Sequence, residues 1–351
     1  MRFGMLSICD NDPAQRSTQQ FYRDLLDEIV LAEELGFEDY WVAEHHYSNY
    51  GVVPSPAVLL AAAASRTSRI GLGSGVSILP FHDPLQVAED YAMVDLLSNG
   101  RLTFGAGRGF LIHEYEAFGI QNQQDSRERF DEALAIIRTA GEGERFSFHG
   151  KHYTVDDVLL NVLPVQKPGP PIYQAALSPS SYEKAANSGV PVAGVATTLR
   201  TLDRIEERVG SFKRLWAESG RDADAVDVPI TWYTFVVSDQ ERVYEDAGRH
   251  LINYFRGIGN IFDPEKVDNP EARQVYEELH EWNNTVTYDH IENNTDVALF
   301  GDPDTVIRKL ERIRDAGVEK VHCLMNFGNR AHDEVVASME LFAKEVIPAL
   351  R

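Results

Sequence analysis

The sequence predicts an α/β chain closed into a (β/α)8 barrel. Strand-like and helix-like segments alternate along nearly all of its 351 residues. Eight strand-like segments can be counted, each followed by a helical one. That alternation implies parallel strands joined by right-handed crossovers, and eight units close more naturally into a barrel than into an open doubly wound sheet. The chain is therefore read as one domain, residues 1–351, with insertions.

The first strand is read at 2–8. Phe21, Leu25, Ile29 and Ala32 then recur at helical spacing over 20–35, and Gly36 supplies the stop. A second strand at 39–43 precedes an Ala-rich helix at 55–65, and a third strand covers 69–79. Asp83-Pro84 opens a helix as N-cap and first helical residue, and Asn99-Gly100 turns the chain into a fourth strand at 101–107. A helix is expected at about 126–140, then a mixed Gly/Pro stretch at 141–170. Strand 171–176, helix 179–188, strand 190–196, helix 200–218 and strand 228–237 continue the rhythm. A helix at 240–255 follows. Asp302-Pro303 caps the helix before the last strand, 319–325, and a final helix spans about 331–347.

Composition narrows the function. The chain is 43% hydrophobic and 25% charged, which is globular. Its 33 basic against 55 acidic side chains give a net charge of −22, a field that repels phosphate backbones and anionic lipid heads. Neither nucleic acid nor a membrane is an expected partner. Cys9 and Cys323 are too few for a disulfide framework or a four-thiolate metal site. No apolar run approaches the roughly 20 residues of a membrane span, no leader is visible, and a cytoplasmic location is expected.

Several motifs could carry chemistry. Gly71, Gly73 and Gly75, and then Gly105, Gly107 and Gly109, repeat with period two, so each series shares one strand face. They could clear space for a flat ring or allow tight packing. Glu44-His45-His46 follows the second strand, on the face where barrel enzymes do their chemistry. An imidazole there could serve as general base, or be structural. A metal site is not expected, because adjacent residues seldom share one ion and no further ligand has helical spacing to them. His82, His113 and His322 also lie near predicted strand ends. Arg108 follows the fourth strand, and Ser178-Pro179-Ser180-Ser181 opens the helix after the fifth. Those serines can be an ordinary N-cap or, with Arg108, an anion site.

On these residues the chain resembles the bacterial luciferase-like, flavin-dependent monooxygenases. The likeness runs from Gly36-Phe37 through Trp41-Val42-Ala43-Glu44-His45-His46 and Gly71-Leu72-Gly73 to Leu79-Pro80. It continues with Ser98-Asn99-Gly100-Arg101, Phe104 to Gly109, and Gly301-Asp302-Pro303, and the alkanal monooxygenase alpha-type branch is the nearest in pattern. The resemblance implies a luciferase-like barrel that binds FMN as reduced FMNH2 and reacts it with O2 through a C4a-hydroperoxyflavin. It implies His45 as catalytic base, with Glu44 and Glu114 beside it. Arg108 and the segment Ser178, Ser181, Tyr182 would hold the phosphate, and Gly107 would lie against the cofactor. Gly75–Val76 would be a cis peptide beneath the ring. Luciferases carry a reactive cysteine at the position of Gly107, an aspartate at Glu114 and a glutamate at Leu177, so light emission does not follow.

The expected activity is a two-component monooxygenase acting on a small organic substrate such as an aldehyde or ketone. A separate NAD(P)H:flavin reductase would supply FMNH2, and a homodimer is expected. Two alternatives are a deazaflavin-dependent hydride-transfer enzyme, whose coenzyme has a long anionic tail, and a non-catalytic flavin-binding protein. A barrel needs one helix between strands seven and eight, and residues 302–316 provide it. Residues 238–301 are therefore read as an insertion on the active face. Gly257, Gly259, Asn260, Asn269, Asn283, Asn284, Asn293 and Asn294 make its later part rich in hinge residues. Long insertions of this kind are commonly lids, and 257–295 is expected to cover the flavin site.

Overall fold

A computed structural model describes residues 1–267, 269–293 and 295–351. Its strands are β1 (Arg2–Ser7), β2 (Asp39–Val42), β3 (Gly71–Ser74), β4 (Ser77–Ile78), β5 (Leu102–Gly107), β6 (Phe146–His149), β7 (Thr154–Val158), β8 (Ile172–Ala175), β9 (Val192–Val195), β10 (Ile230–Val236), β11 (Ala298–Gly301) and β12 (Lys320–Leu324). Eight of them, in the order β1-β2-β3-β5-β8-β9-β10-β12, pair in parallel, and β12 pairs back onto β1 to close the barrel.

The helices are α1 (Thr18–Leu35), α2 (Pro56–Ala64), α3 (Pro84–Ser98), α4 (Ile112–Phe118), α5 (Gln123–Gly141), α6 (Pro179–Ser188), α7 (Ala196–Leu199), α8 (Leu202–Glu218), α9 (Arg249–Ile258), α10 (Pro270–Thr285), α11 (Tyr288–Asn293), α12 (Pro303–Asp315), α13 (His332–Leu341) and α14 (Ile347–Leu350). Their ends follow the sequence signals. Asp83 accepts from the amides of Leu85 and Gln86 at the start of α3, and Asn99 ends that helix in the left-handed region at φ 57°. Gly36 does the same for α1 at φ 84°. The main core lies between barrel and helices, where Ile29, Leu60, Val94, Phe212 and Val306 are buried.

Four details depart from the sequence reading. The third strand is interrupted at Gly75–Val76, which is the cis peptide the resemblance implies, and resumes as β4 against Ala106 and Gly107 of β5. The stretch 141–170 contains an antiparallel hairpin, β6 with β7, which lies outside the barrel wall. α4 precedes α5, so two helices follow β5. The expected helix at 240–255 begins as a short 3-10 turn and a π turn and becomes α9 only from Arg249.

The segment after β10 is built in two ways. Its end, β11, is a parallel strand: Tyr233 to Val236 of β10 pair with Ala298 to Gly301. The rest packs on the C-terminal mouth of the barrel. There Tyr233, Phe235, Phe300 and Phe327 form one buried cluster with Leu251, Phe255, Trp282 and Ile291. Asn294 and Asp268 lie outside the described residues.

Candidate active site

A cavity opens at the C-terminal ends of the barrel strands. Leu6, Glu44, His45, Gly75, Val76, Ile78, Gly107, Arg108, Ala175, Ser178, Ser181 and Tyr233 line its barrel side, and Phe262, Glu271, Val275, Tyr276 and Leu279 line it from the insertion.

At every glycine of the two series an added Cβ would meet neighbouring protein atoms. A Cβ on Gly73 would stand 2.4 Å from the Trp41 ring, and one on Gly105 would run into the Ser74 carbonyl. These positions serve packing within the wall. Gly75 and Gly107, at the upper ends, also line the cavity, and a Cβ on them would meet Leu6 and Trp41, or the Val76 side chain.

His45 is buried at the cavity wall, with Tyr50 edge-on at 4.5 Å between ring centroids. Its Nδ1 lies 3.1 Å from Glu114 Oε1, and the same oxygen accepts the His46 amide at 2.8 Å. A carboxylate on Nδ1 selects the tautomer with the proton there and leaves Nε2 as an acceptor. Glu114 is fully buried and is absent from the cavity lining. It lies beside His45, as the resemblance implies, and holds both that ring and the His46 amide.

Glu44 faces a second pair. Its Oε1 lies 3.0 Å from His46 Nε2 and 2.6 Å from His82 Nε2, and its Oε2 accepts the Ile78 amide at 3.0 Å. Burial works against its charge, but the His46 and His82 hydrogen bonds hold the carboxyl below its ordinary range. Burial likewise opposes the charged form of His82, and Glu44 overcomes it, raising the imidazole above its ordinary value. Ligand atoms of Glu44, His46 and His82 lie within 4.8 Å of one another, a grouping that sequence spacing does not display because His82 comes from the loop after β4. The three satisfy one another by hydrogen bonding. His113 reaches the His46 carbonyl at 3.2 Å. His322 is inside the barrel, beside Asp39 and Trp41 and away from this site.

Arg108 lines the same cavity just after β5. The Tyr115 hydroxyl donates to the Gly109 carbonyl at 2.8 Å and Ser126 donates to the Arg108 carbonyl at 2.5 Å, which fixes the loop. Arg108 Nη1 is buried without a partner. Burial pushes this guanidinium below its ordinary value, and Arg127 adds to the effect. Ser178 Oγ accepts the Ser181 amide at 3.4 Å and the Ser178 amide donates to Ser181 Oγ at 3.1 Å, so the serines are a capping box that also lines the cavity. Tyr182 faces away from the cavity. With Ala185 and Ala186 it lies on the buried stripe of α6, its ring faces Phe212 and Arg208, and its side chain does not line the cavity. Gln123 and Arg127, four apart on α5, are cavity residues the sequence reading passed over, although that spacing places them on one helix face. Tyr50, Tyr276 and Glu271 were also missed, because chain distance hides them.

The profile of the luciferase-like monooxygenase family matches residues 1–320. The chain belongs to that family. It is 28% identical to limonene 1,2-monooxygenase of Rhodococcus erythropolis over 328 residues, covering 92% of this chain and 80% of that one. It is 26% identical to the oxygenase component of the flavin-dependent trigonelline monooxygenase of Acinetobacter baylyi, covering 99% and 95%. The crystal structure of monooxygenase RslO1 from Streptomyces bottropensis superposes with a TM-score of 0.85 at 27% identity, covering both chains fully. The coenzyme F420-dependent tetrahydromethanopterin reductase of Methanopyrus kandleri, at 22% identity, 100% and 99% coverage and TM-score 0.75, shares the fold. Family membership makes this chain an oxidoreductase on a luciferase-like (β/α)8 barrel. Among the described residues no helix is long and apolar enough to cross a membrane.

Proposed function

We propose that the chain is the oxygenase component of a two-component system that binds reduced FMN and oxygenates a small organic substrate, with a separate NAD(P)H:flavin reductase as donor. The observation that carries this reading is that one cavity holds both an anion cradle and an oriented imidazole. Arg108 Nη1 is buried and unpartnered, and Ser178 and Ser181 at a helix N-terminus line the same cavity, which suits a phosphate. His45, also in the lining, is oriented by Glu114. Gly75, Val76 and Gly107 share that lining.

When bound, the reduced flavin supplies the activation of oxygen; the protein supplies position, proton handling and exclusion of water. His45 Nε2 takes or returns a proton at the reacting centre, while Glu114 keeps it in the accepting tautomer. Phe110, Phe262, Val275 and Leu279 make the substrate side apolar, which fits a neutral organic molecule. In this reading residues 257–295 are the lid. Their support is that Phe262, Asn269, Glu271, Val275, Tyr276 and Leu279 close one side of the cavity. A homodimer is also part of the proposal, supported by exposed Val58 on α2 and Met93, Leu96 and Leu97 on α3.

The test is binding by flavin fluorescence. FMN should bind more tightly than riboflavin by about 10-fold or more, the effect of a charge-assisted phosphate contact. Equal affinity would count against a phosphate site. Hydrogen exchange should show 257–285 slowed on FMN binding; unchanged exchange there would remove the lid.

A further inference from the structure

We infer that Glu271 is a specificity residue that sets this site against cofactors whose charge continues beyond a single phosphate. The inference rests on the FMN reading above. Glu271 is the second residue of α10, just after the N-cap Asn269, and its Oε2 accepts the Ser180 hydroxyl at 2.9 Å. The insertion thereby touches the turn that caps α6, and its carboxylate lines the same cavity as Arg108, Ser178 and Ser181. Partial burial opposes its charge, but the Ser180 and Ser178 hydroxyls and Arg127 hold it below its ordinary range, so it is ionised at neutral pH.

The charges around the cradle can be followed one by one. Arg108 and Arg127 line the cavity and face Glu271 electrostatically. Asp131, the other acid felt by Arg108, is engaged by Lys184. Two guanidiniums against one carboxylate leave a local surplus of one positive charge. That surplus suits a phosphate monoester held by Arg108 and the serines. Because Glu271 is bonded to Ser180 of the capping turn, further carboxylates on a tail attached to that phosphate would feel its charge, in the field of a chain whose net charge is −22. No basic side chain among the cavity-lining residues other than Arg108 and Arg127 is available to meet it. Glu271 thus separates a flavin mononucleotide from a deazaflavin with an oligoglutamyl tail, the two cofactor classes that this fold accommodates.

The test uses dissociation constants of the whole protein, read from ligand fluorescence, for four probes: riboflavin, FMN, F420 with its oligoglutamyl tail, and the corresponding deazaflavin without phosphate or tail. Wild type and Glu271→Gln are compared at low salt. The two uncharged probes should change by less than about twofold, FMN should tighten about threefold, and F420 should tighten about 10- to 30-fold, since each added tail charge feels the removed carboxylate. Raising the salt should erase most of the difference. Glu271→Lys should enlarge it, which also controls for a purely steric effect of the glutamine. If F420 and FMN respond equally, or if the uncharged probes shift as much as the charged ones, the assignment is wrong. If wild type binds F420 as tightly as FMN while both bind well, the flavin site survives and the role of Glu271 does not. Failure of all four probes to bind wild type would overturn the flavin reading and this inference with it.

Discussion

His45 Nδ1 and Glu114 Oε1 are 3.1 Å apart, and that oxygen also takes the amide of the neighbouring His46. One buried carboxylate therefore fixes both the backbone that carries the imidazole and the tautomer of its ring. His45 itself lines the cavity.

His45→Ala should lower turnover by about 10²- to 10⁴-fold with FMN affinity nearly kept, the usual loss for a general base. Glu114→Gln should cost about 10-fold or more in kcat while KM and FMN binding stay close to wild type, because it disturbs orientation and not contact. Steady-state kinetics with matched flavin titrations checks both. Full turnover in the alanine variant would remove His45 from the chemistry.

Arg108→Ala should weaken FMN about 10- to 150-fold and leave riboflavin unchanged, the loss of one charge-assisted contact. Parallel titrations decide this. An equal loss for both ligands would mean that Arg108 holds the loop and not the phosphate.

Asp10 gives the pH dependence. Its carboxyl is buried and accepts the Gly328 and Asn329 amides at 2.8 and 3.1 Å, yet burial pushes it up to about 7 from an ordinary 3.8. A folded value above the unfolded one means the contribution to stability is complete below pH 3.8 and is lost as pH rises through about 7. Asp10→Asn should therefore compare better with wild type at pH 8 than at pH 4. Thermal melts across that range test it, and a constant difference would contradict it.

The exposed side chains Val58, Met93, Leu96 and Leu97 predict a self-contact through α2 and α3. Leu97→Glu should shift the protein toward monomer in sedimentation while leaving FMN binding in place. An unchanged mass would place the dimer face elsewhere.

The barrel was legible because its signals are local. Asp83 before Pro84, Gly36 and Asn99 at helix ends, and the recurrent strand segments each act within a few residues. Glu44, His45, Arg108 and Ser178 were legible from motif order. What stayed hidden depends on the third dimension. Glu271 meets Ser180 across 91 residues of chain, and Glu114 meets His45 across 69. Tyr182 shows the limit of a motif, because the segment as a whole sits at the site while its helix turns that side chain into the core. β11 was absorbed into the insertion because four residues, Ala298–Gly301, carry too short a pattern to stand out.

The most direct measurement supplies chemically reduced FMN and ¹⁸O₂ to the protein with a panel of aldehydes, ketones and terpenoids, and follows products by mass spectrometry. The account predicts that a substrate gains one ¹⁸O atom, that this requires reduced FMN, and that His45→Ala abolishes most of it. Anaerobic turnover with F420, with no label from oxygen under any flavin condition, would contradict it.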